Sequence, residues 1–301
     1  MFSFILTGIA IIPFIDILYR LKFIRKDEQG VVGGGVLIVA LVSVLFILIF
    51  PLVRRMGVYI SSSFPIKLEL NIIFFTFISF GLLGLYDDIM KIFGFKKTGF
   101  FGLRVRHKLV VQAVLAAVTA ILLYFNLHIE ILNVPYLGVL HLGWMYIPLA
   151  TFIIMSFANA LDMTDGMDGL SCGVLLVCLL AFWGLSVTAM DTPLSIFVAL
   201  WIGSLIAFLY FNVYPARIWL GNAGGLAFGA TLAVVGLLLG KVIALVVIGG
   251  LFIVELVSSL VLATPLHNWL QVVGWSKAKI MMRAWLAAVI LAVFGIWLAQ
   301  L

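Results

Sequence analysis

The sequence predicts an all-α polytopic membrane protein of about ten transmembrane helices, with both termini outside and a short outer-face β-hairpin near 126–144. Three observations carry that expectation. Of 301 residues, 65% are hydrophobic and only 10% charged, whereas a soluble domain is nearer half apolar and a quarter charged. Apolar runs of about 20 residues, each able to cross roughly 30 Å of hydrocarbon, recur along the whole length. The basic residues concentrate on alternate loops.

The runs predict spans at 3–21, 32–53, 70–86, 108–126, 144–161, 170–188, 192–211, 224–240, 242–264 and 280–300. The first has neither a basic leader nor a small-residue cleavage site, so it reads as a retained span. With the N-terminus outside, the odd-numbered loops carry 14 Lys and Arg and the even-numbered loops four: Arg54, Arg55, Lys67 and Lys241. Lys and Arg favour the cytoplasmic side, so the odd loops are expected there; Arg54 and Arg55 run against the trend. This distribution accounts for the net charge of +6 without a nucleic-acid partner. Short loops and the lack of a linker predict one integral membrane domain, 1–301.

The longest outside segment, "NLHIEILNVPYLGVLHLGW" (126–144), alternates in character around a proline and reads as the hairpin, with His128 and His141 as surface histidines. Cys172 and Cys178 share the sixth span, unflanked by His or further Cys, and read as small buried apolar side chains. Asp16 and Glu255 lie inside spans. Such acids are functional candidates by default, with a salt bridge or a wet helix end as an equally weighted reading.

Four polar stretches interrupt the apolar pattern. "GLYDDIMK" ends the third span with Asp87 and Asp88, and Lys91 shares a helical face with both; alone this is an ordinary helix-end ion pair. "NALDMTDGMDGL" sets Asp162, Asp165 and Asp168 at spacings of three, with Gly166 and Gly169 allowing close approach. A wet inter-helix turn is the bland reading. Three acids facing one cavity repel, so a cation is expected among them. "FNVYPARIWLGNAGGLAFG" contains an amide-rich turn opening a helix, suited to phosphate, though Gly also serves helix packing. "TPLHNWLQVVGWSKAKIMMRAW" carries His267, which with its neighbouring Trp also fits a membrane anchor. The stretches occupy the third, fifth, seventh and ninth loops and so converge on one membrane face. That convergence outweighs each separate bland reading.

At these residues the chain resembles the polyprenyl-phosphate N-acetylhexosamine-1-phosphate transferases, and within them the phospho-N-acetylmuramoyl-pentapeptide transferases. "YDDIMK", "NALDMTDGMDGL", "PARIWLGNAGG" and "PLHNWLQVVGW" stand in that family's order and spacing, over about 84–285. The resemblance implies ten spans, a cytoplasmic site, Mg²⁺, a UDP-sugar and a polyprenyl phosphate as substrates, and a homodimer. It implies that Asp87, Asp88 and His267 are catalytic, with Lys91 facing phosphate. Asp162, Asp165 and Asp168 fall at polar positions of the family's nucleotide-sugar and metal motif, and Asn212 and Trp219 near the uracil. The resulting assignment gives substrate contacts to Lys91, Lys108, Asp162, Asp168, Asn212, Trp219 and Asn268, and metal ligation to Asp165 and Asn222.

The chain departs from the family's pattern at three points. Asn222 stands where the family has a magnesium-binding aspartate, and the histidine cluster is reduced to His267-Asn268-Trp269. The basic first-loop motif is replaced by "RKDEQGVVGGG", which leaves Lys26 as its counterpart; the family usually has Asn where Asp162 stands. The expected reaction is transfer of a sugar-1-phosphate, phospho-MurNAc-pentapeptide in the first instance, to undecaprenyl phosphate with release of UMP. UDP-N-acetylglucosamine is the alternative donor. A cation-coupled transporter is the alternative from another class, although its acids would lie near the bilayer midplane. A family member that binds without turnover is a third reading.

Overall fold

The computed structural model describes residues 1–24, 30–57, 59–93, 105–135 and 138–301; Lys26 lies outside them. The long helices are α1 (Phe2–Arg20), α2 (Gly34–Arg55), α3 (Ile66–Ile92), α4 (Val105–Leu127), α5 (Tyr146–Thr164), α6 (Leu170–Thr188), α7 (Thr192–Asn212) and α8 (Gly221–Leu238). Two short helices, α9 (Val242–Ile248) and α10 (Gly250–Val261), precede α11 (Leu266–Val272) and the last long helix, α12 (Lys277–Gln300). Among the described residues nine helices are long and apolar enough to cross a membrane, and α9 with α10 makes a tenth bent by 71°.

The ninth expected span is therefore broken. The break falls at Gly249, where a Cβ would run into the ring of Phe157 on α5. Two adjacent glycines weaken the helix here, Gly249 against Phe157 of α5 and Gly250 against Leu291 of α12.

Helix starts follow local chemistry. Asp191 caps α7 by accepting the Leu194 N–H at 3.2 Å, with Pro193 in the first turn. The hairpin forms as expected, β2 (Ile131–Val134) pairing antiparallel with β3 (Gly138–His141), and His128 and His141 are exposed. Cys172 and Cys178 are buried and free. A second, unexpected sheet joins β1 (Val31–Val32) in parallel to β4 (Ile218–Trp219), tying the first loop to the seventh.

The core lies around α8, whose residues from Ala223 to Leu238 are all buried. Phe77 of α3, Phe197 and Trp201 of α7, and Phe228 of α8 pack with ring centroids 5.2 to 6.0 Å apart. α3 and α5 flank α8, and their last turns end beside its first. That arrangement brings the acidic stretches together.

Candidate active site

Close approach of α3 and α8 is set by Gly84, one turn before Asp87. A Cβ there would collide with the backbone carbonyl of Asn222. With no side chain in the way, Asp88 reaches the start of α8 and accepts the N–H groups of Asn222 and Ala223, each at 3.1 Å. Asp165, just past α5, accepts the Gly221 N–H at 3.1 Å and the Ser171 hydroxyl at 2.7 Å. The first N–H groups of a helix have no partner within it and carry its positive dipole end. Here two carboxylates from other elements satisfy them. The "GNAGG" amides, expected from the sequence to meet phosphate, are thus already held by acids at Gly221, Asn222 and Ala223.

Asp87 sits behind this contact as a charge hub. Its Oδ2 accepts from Lys91 at 3.0 Å, Lys108 at 3.1 Å and the Asn222 amide nitrogen at 2.7 Å. Lys108, from the first turns of α4, also donates to Asp162 Oδ2 at 3.0 Å, so one ammonium joins α3 to α5. The cation expected among the acids is in part this lysine.

Above these pairs opens a cavity of about 620 Å³, of the size that small-molecule sites occupy. Its walls include Asp88 and Lys91 from α3, Asp162 and Met163 from α5, Asp165 and Gly166, and Trp219, Gly221 and Asn222. Three of the four motif loops thereby line one concave surface at one end of the bundle.

The glycosyl transferase family 4 profile matches residues 70–240, the segment that carries α3 through α8 and most of this cavity. The phospho-N-acetylmuramoyl-pentapeptide-transferase of Bacillus subtilis (strain 168) is 32% identical over 98% of this chain and 94% of its own. Those of Bacillus pumilus (strain SAFR-032) and Geobacillus sp. (strain WCH70) are each 30% identical, covering 95% and 98% of this chain and 92% and 95% of theirs. The chain belongs to glycosyl transferase family 4.

In this family 4 chain the expected site residues divide by position. Asp88, Lys91, Asp162, Asp165, Trp219 and Asn222 line the cavity. Asp87 and Lys108 lie one contact behind it, through Asn222 and Asp162. Asp168 is 6% exposed and accepts the Ala216 N–H at 3.3 Å, which fixes the seventh loop against the fifth without reaching the cavity wall. Asn212, fully buried, spends its amide on backbone: its oxygen accepts from Gly169 at 3.2 Å and its nitrogen donates to Ile218 at 2.8 Å. Its geometry is that of a loop brace.

His267 is also set back from the wall. It is 1% exposed, and a Cβ on Gly166 would stand 2.5 Å from its Nε2. Asn268 lies exposed on α11, accepting from Gln271 at 3.4 Å. Of the two acids placed inside spans, Asp16 is exposed on α1, and Glu255 is buried against His267.

Sequence reasoning missed Lys22, Ile24 and Val32, all on the cavity wall. Lys22 closes α1 in a left-handed conformation, φ +59°, where glycine is the usual residue. Its cue was available: a basic residue just past the first span, on the same face as the other motifs.

Proposed function

We propose that this phosphotransferase moves a sugar-1-phosphate from a UDP-sugar to undecaprenyl phosphate with release of UMP. The transferred group in this reading is phospho-MurNAc-pentapeptide, for peptidoglycan precursors, at the cytoplasmic face of the plasma membrane. The observation that carries the proposal is that Asp88, Lys91, Asp162, Asp165 and Asn222, from three separate loops, line the same cavity at one end of the helix bundle. The phospho-N-acetylmuramoyl-pentapeptide-transferases matched along nearly the whole chain support it. The positive bias of the odd loops supports the cytoplasmic face.

The reaction joins two anions. An oxygen of the lipid phosphate attacks the β-phosphorus of the nucleotide sugar, a new P–O–P link forms, and the bond to UMP breaks. Asp88 reaches the cavity wall and is the member of the acid pair assigned to orient the lipid phosphate or accept its proton. Asp87, behind it, holds Lys91 and Lys108 in place. Lys91 has half-exposed charge at the wall to meet a phosphate oxygen. Trp219 borders the cavity but is 1% exposed, so it shapes the wall and presents no open face to a base.

The donor set fits Mg²⁺. The acids and amide at the wall are oxygen donors, and among the described residues no three His, Cys, Asp or Glu side chains form a ready cage. Mg²⁺ commonly keeps several waters and takes only one or two carboxylates besides substrate phosphates. Asp165 and Asn222 are the residues assigned to hold it. Bound there, it would neutralise charge on the diphosphate and on the leaving UMP.

The test incubates purified protein with undecaprenyl phosphate, Mg²⁺ and either UDP-MurNAc-pentapeptide or UDP-N-acetylglucosamine. UMP release with the first donor is expected. UMP release only with the second reassigns the sugar, UDP release marks a glycosyltransferase, and no product with either rejects the proposal.

A further inference from the structure

An acid inside a membrane-spanning helix is costly unless it is fully engaged. Glu255 lies on α10, just past the 71° bend, and is 6% exposed. Its carboxylate is spent entirely on one residue. It accepts the His267 backbone N–H at 3.2 and 3.4 Å through its two oxygens, and its Oε2 lies 3.0 Å from His267 Nδ1. A carboxylate can only accept, so the Nδ1 position carries the proton. That assignment leaves Nε2 as the ring atom facing away from Glu255, an acceptor in the neutral ring and a donor in the charged one.

Among the described residues Nε2 is buried with no hydrogen-bond partner. A polar atom in that condition is expensive to keep, and such atoms concentrate where a ligand supplies the missing partner. It is aimed at Gly166, and Gly166 is part of the cavity wall beside Asp165. Gly166 has no side chain to fill the space between Nε2 and the cavity edge.

We infer that Glu255 is a positioning residue of this active site: through His267 it presents Nε2 to the loop that carries Asp165, where a substrate oxygen completes the contact. The bend at Gly249 has a purpose in this arrangement, since it turns α10 so that its acid meets α11 and not the next turn of a straight span. The inference rests on the phosphotransferase reading and adds to it a residue outside the four motif loops.

Three variants test it with the full-length protein in the UMP-release assay. Glu255→Gln keeps the shape and can still accept the backbone N–H, but its amide can donate to Nδ1 and free the ring to take the other tautomer. Loss of an outer contact to a functional histidine typically costs about 10- to 100-fold; a fall of that size in kcat is expected, with KM for the UDP-sugar within about twofold. Glu255→Asp restores the charge and should recover part of the rate. His267→Ala should be nearly as slow alone as together with Glu255→Gln, because both changes remove one unit. Thermal melting of each variant in detergent separates loss of rate from loss of fold.

If wild type releases no UMP, the function proposed above fails. If wild type turns over and Glu255→Gln keeps full kcat, or if the two substitutions multiply in the double variant, the positioning role is overturned.

Discussion

The amide nitrogen of Asn222 donates to Asp87 Oδ2 at 2.7 Å, and that same oxygen receives Lys91 and Lys108. An aspartate at 222 could not donate. It would face the Asp87 carboxylate directly and add a negative charge that Lys91 and Lys108 already share with Asp87 and Asp162, so a further cation would be favoured there. Asn222→Asp is therefore expected to make the protein's thermal stability depend on Mg²⁺, with a lower Tm than wild type in chelator and recovery as the metal is added. The same titration should show activity saturating at lower Mg²⁺ than wild type, and Asn222→Ala at higher. A variant whose Tm ignores Mg²⁺ would remove position 222 from the metal site.

Asp87 and Asp88 are adjacent in sequence and differ in surroundings, so their amide variants should differ too. Asp88→Asn is expected to lower kcat by about 10²- to 10⁴-fold, the usual loss for a general base. Asp87→Asn leaves Lys108 with Asp162 alone. It should cost about 1–3 kcal/mol in stability as well as activity. Equal melting temperatures with equal rates for the two variants would contradict the distinction.

Gly84→Ala places a methyl against the Asn222 carbonyl, which is backbone and cannot swing aside. Overpacking of this kind costs about 1–3 kcal/mol or more. The expected outcome is a lower Tm together with loss of UMP release, because α8 must retreat from Asp88 to make room. An alanine variant with full activity would mean that the helices do not approach this closely.

At the opposite end of the bundle Asp191 is 3% exposed, and burial raises its carboxyl above the ordinary carboxylate range, against the lowering effects of the Leu194 N–H and of the Glu69 side chain paired with it. A folded state that retains a proton the unfolded chain gives up is favoured at low pH. Stability from this group is thus present below the unfolded carboxylate value and fades as pH climbs through the raised folded one. Asparagine caps a helix as well as aspartate does. Asp191→Asn should therefore melt above wild type at neutral pH, and the gap should close as pH falls below about 4. A pH-independent difference would show that the group does not titrate differently on folding.

The spans were legible because hydrocarbon thickness imposes a length that sequence must satisfy, and the hairpin because Pro135 interrupts an alternating segment. The convergence of three of the four motif stretches on one cavity was legible because charges are rare enough here for their clustering to mean something. Side-chain reach was not legible. Asn212 and Asp168 look like neighbours of a ligand in sequence, and the folded loops use them to hold each other. A two-residue strand such as Val31–Val32 has no periodicity to read, so its pairing with Ile218–Trp219 could not be seen. Nor could the break at Gly249, since glycine in an apolar run serves packing as often as bending. The partnership of Glu255 with His267 depends on that break and was hidden with it.

The burial of α8 bears on how the protein is made. Residues 223 to 238 present no stripe to lipid, and five of the seven from Ala223 to Gly229 are Gly or Ala, the other two being Leu226 and Phe228. Such a segment gains little from lying alone in a bilayer. It leaves the ribosome, however, after α3 and α5 have already been synthesised. The slot between those two helices, with Asp88 and Asp165 at its rim, can receive the eighth helix as it arrives, so that completing the bundle and closing the cavity wall are one event.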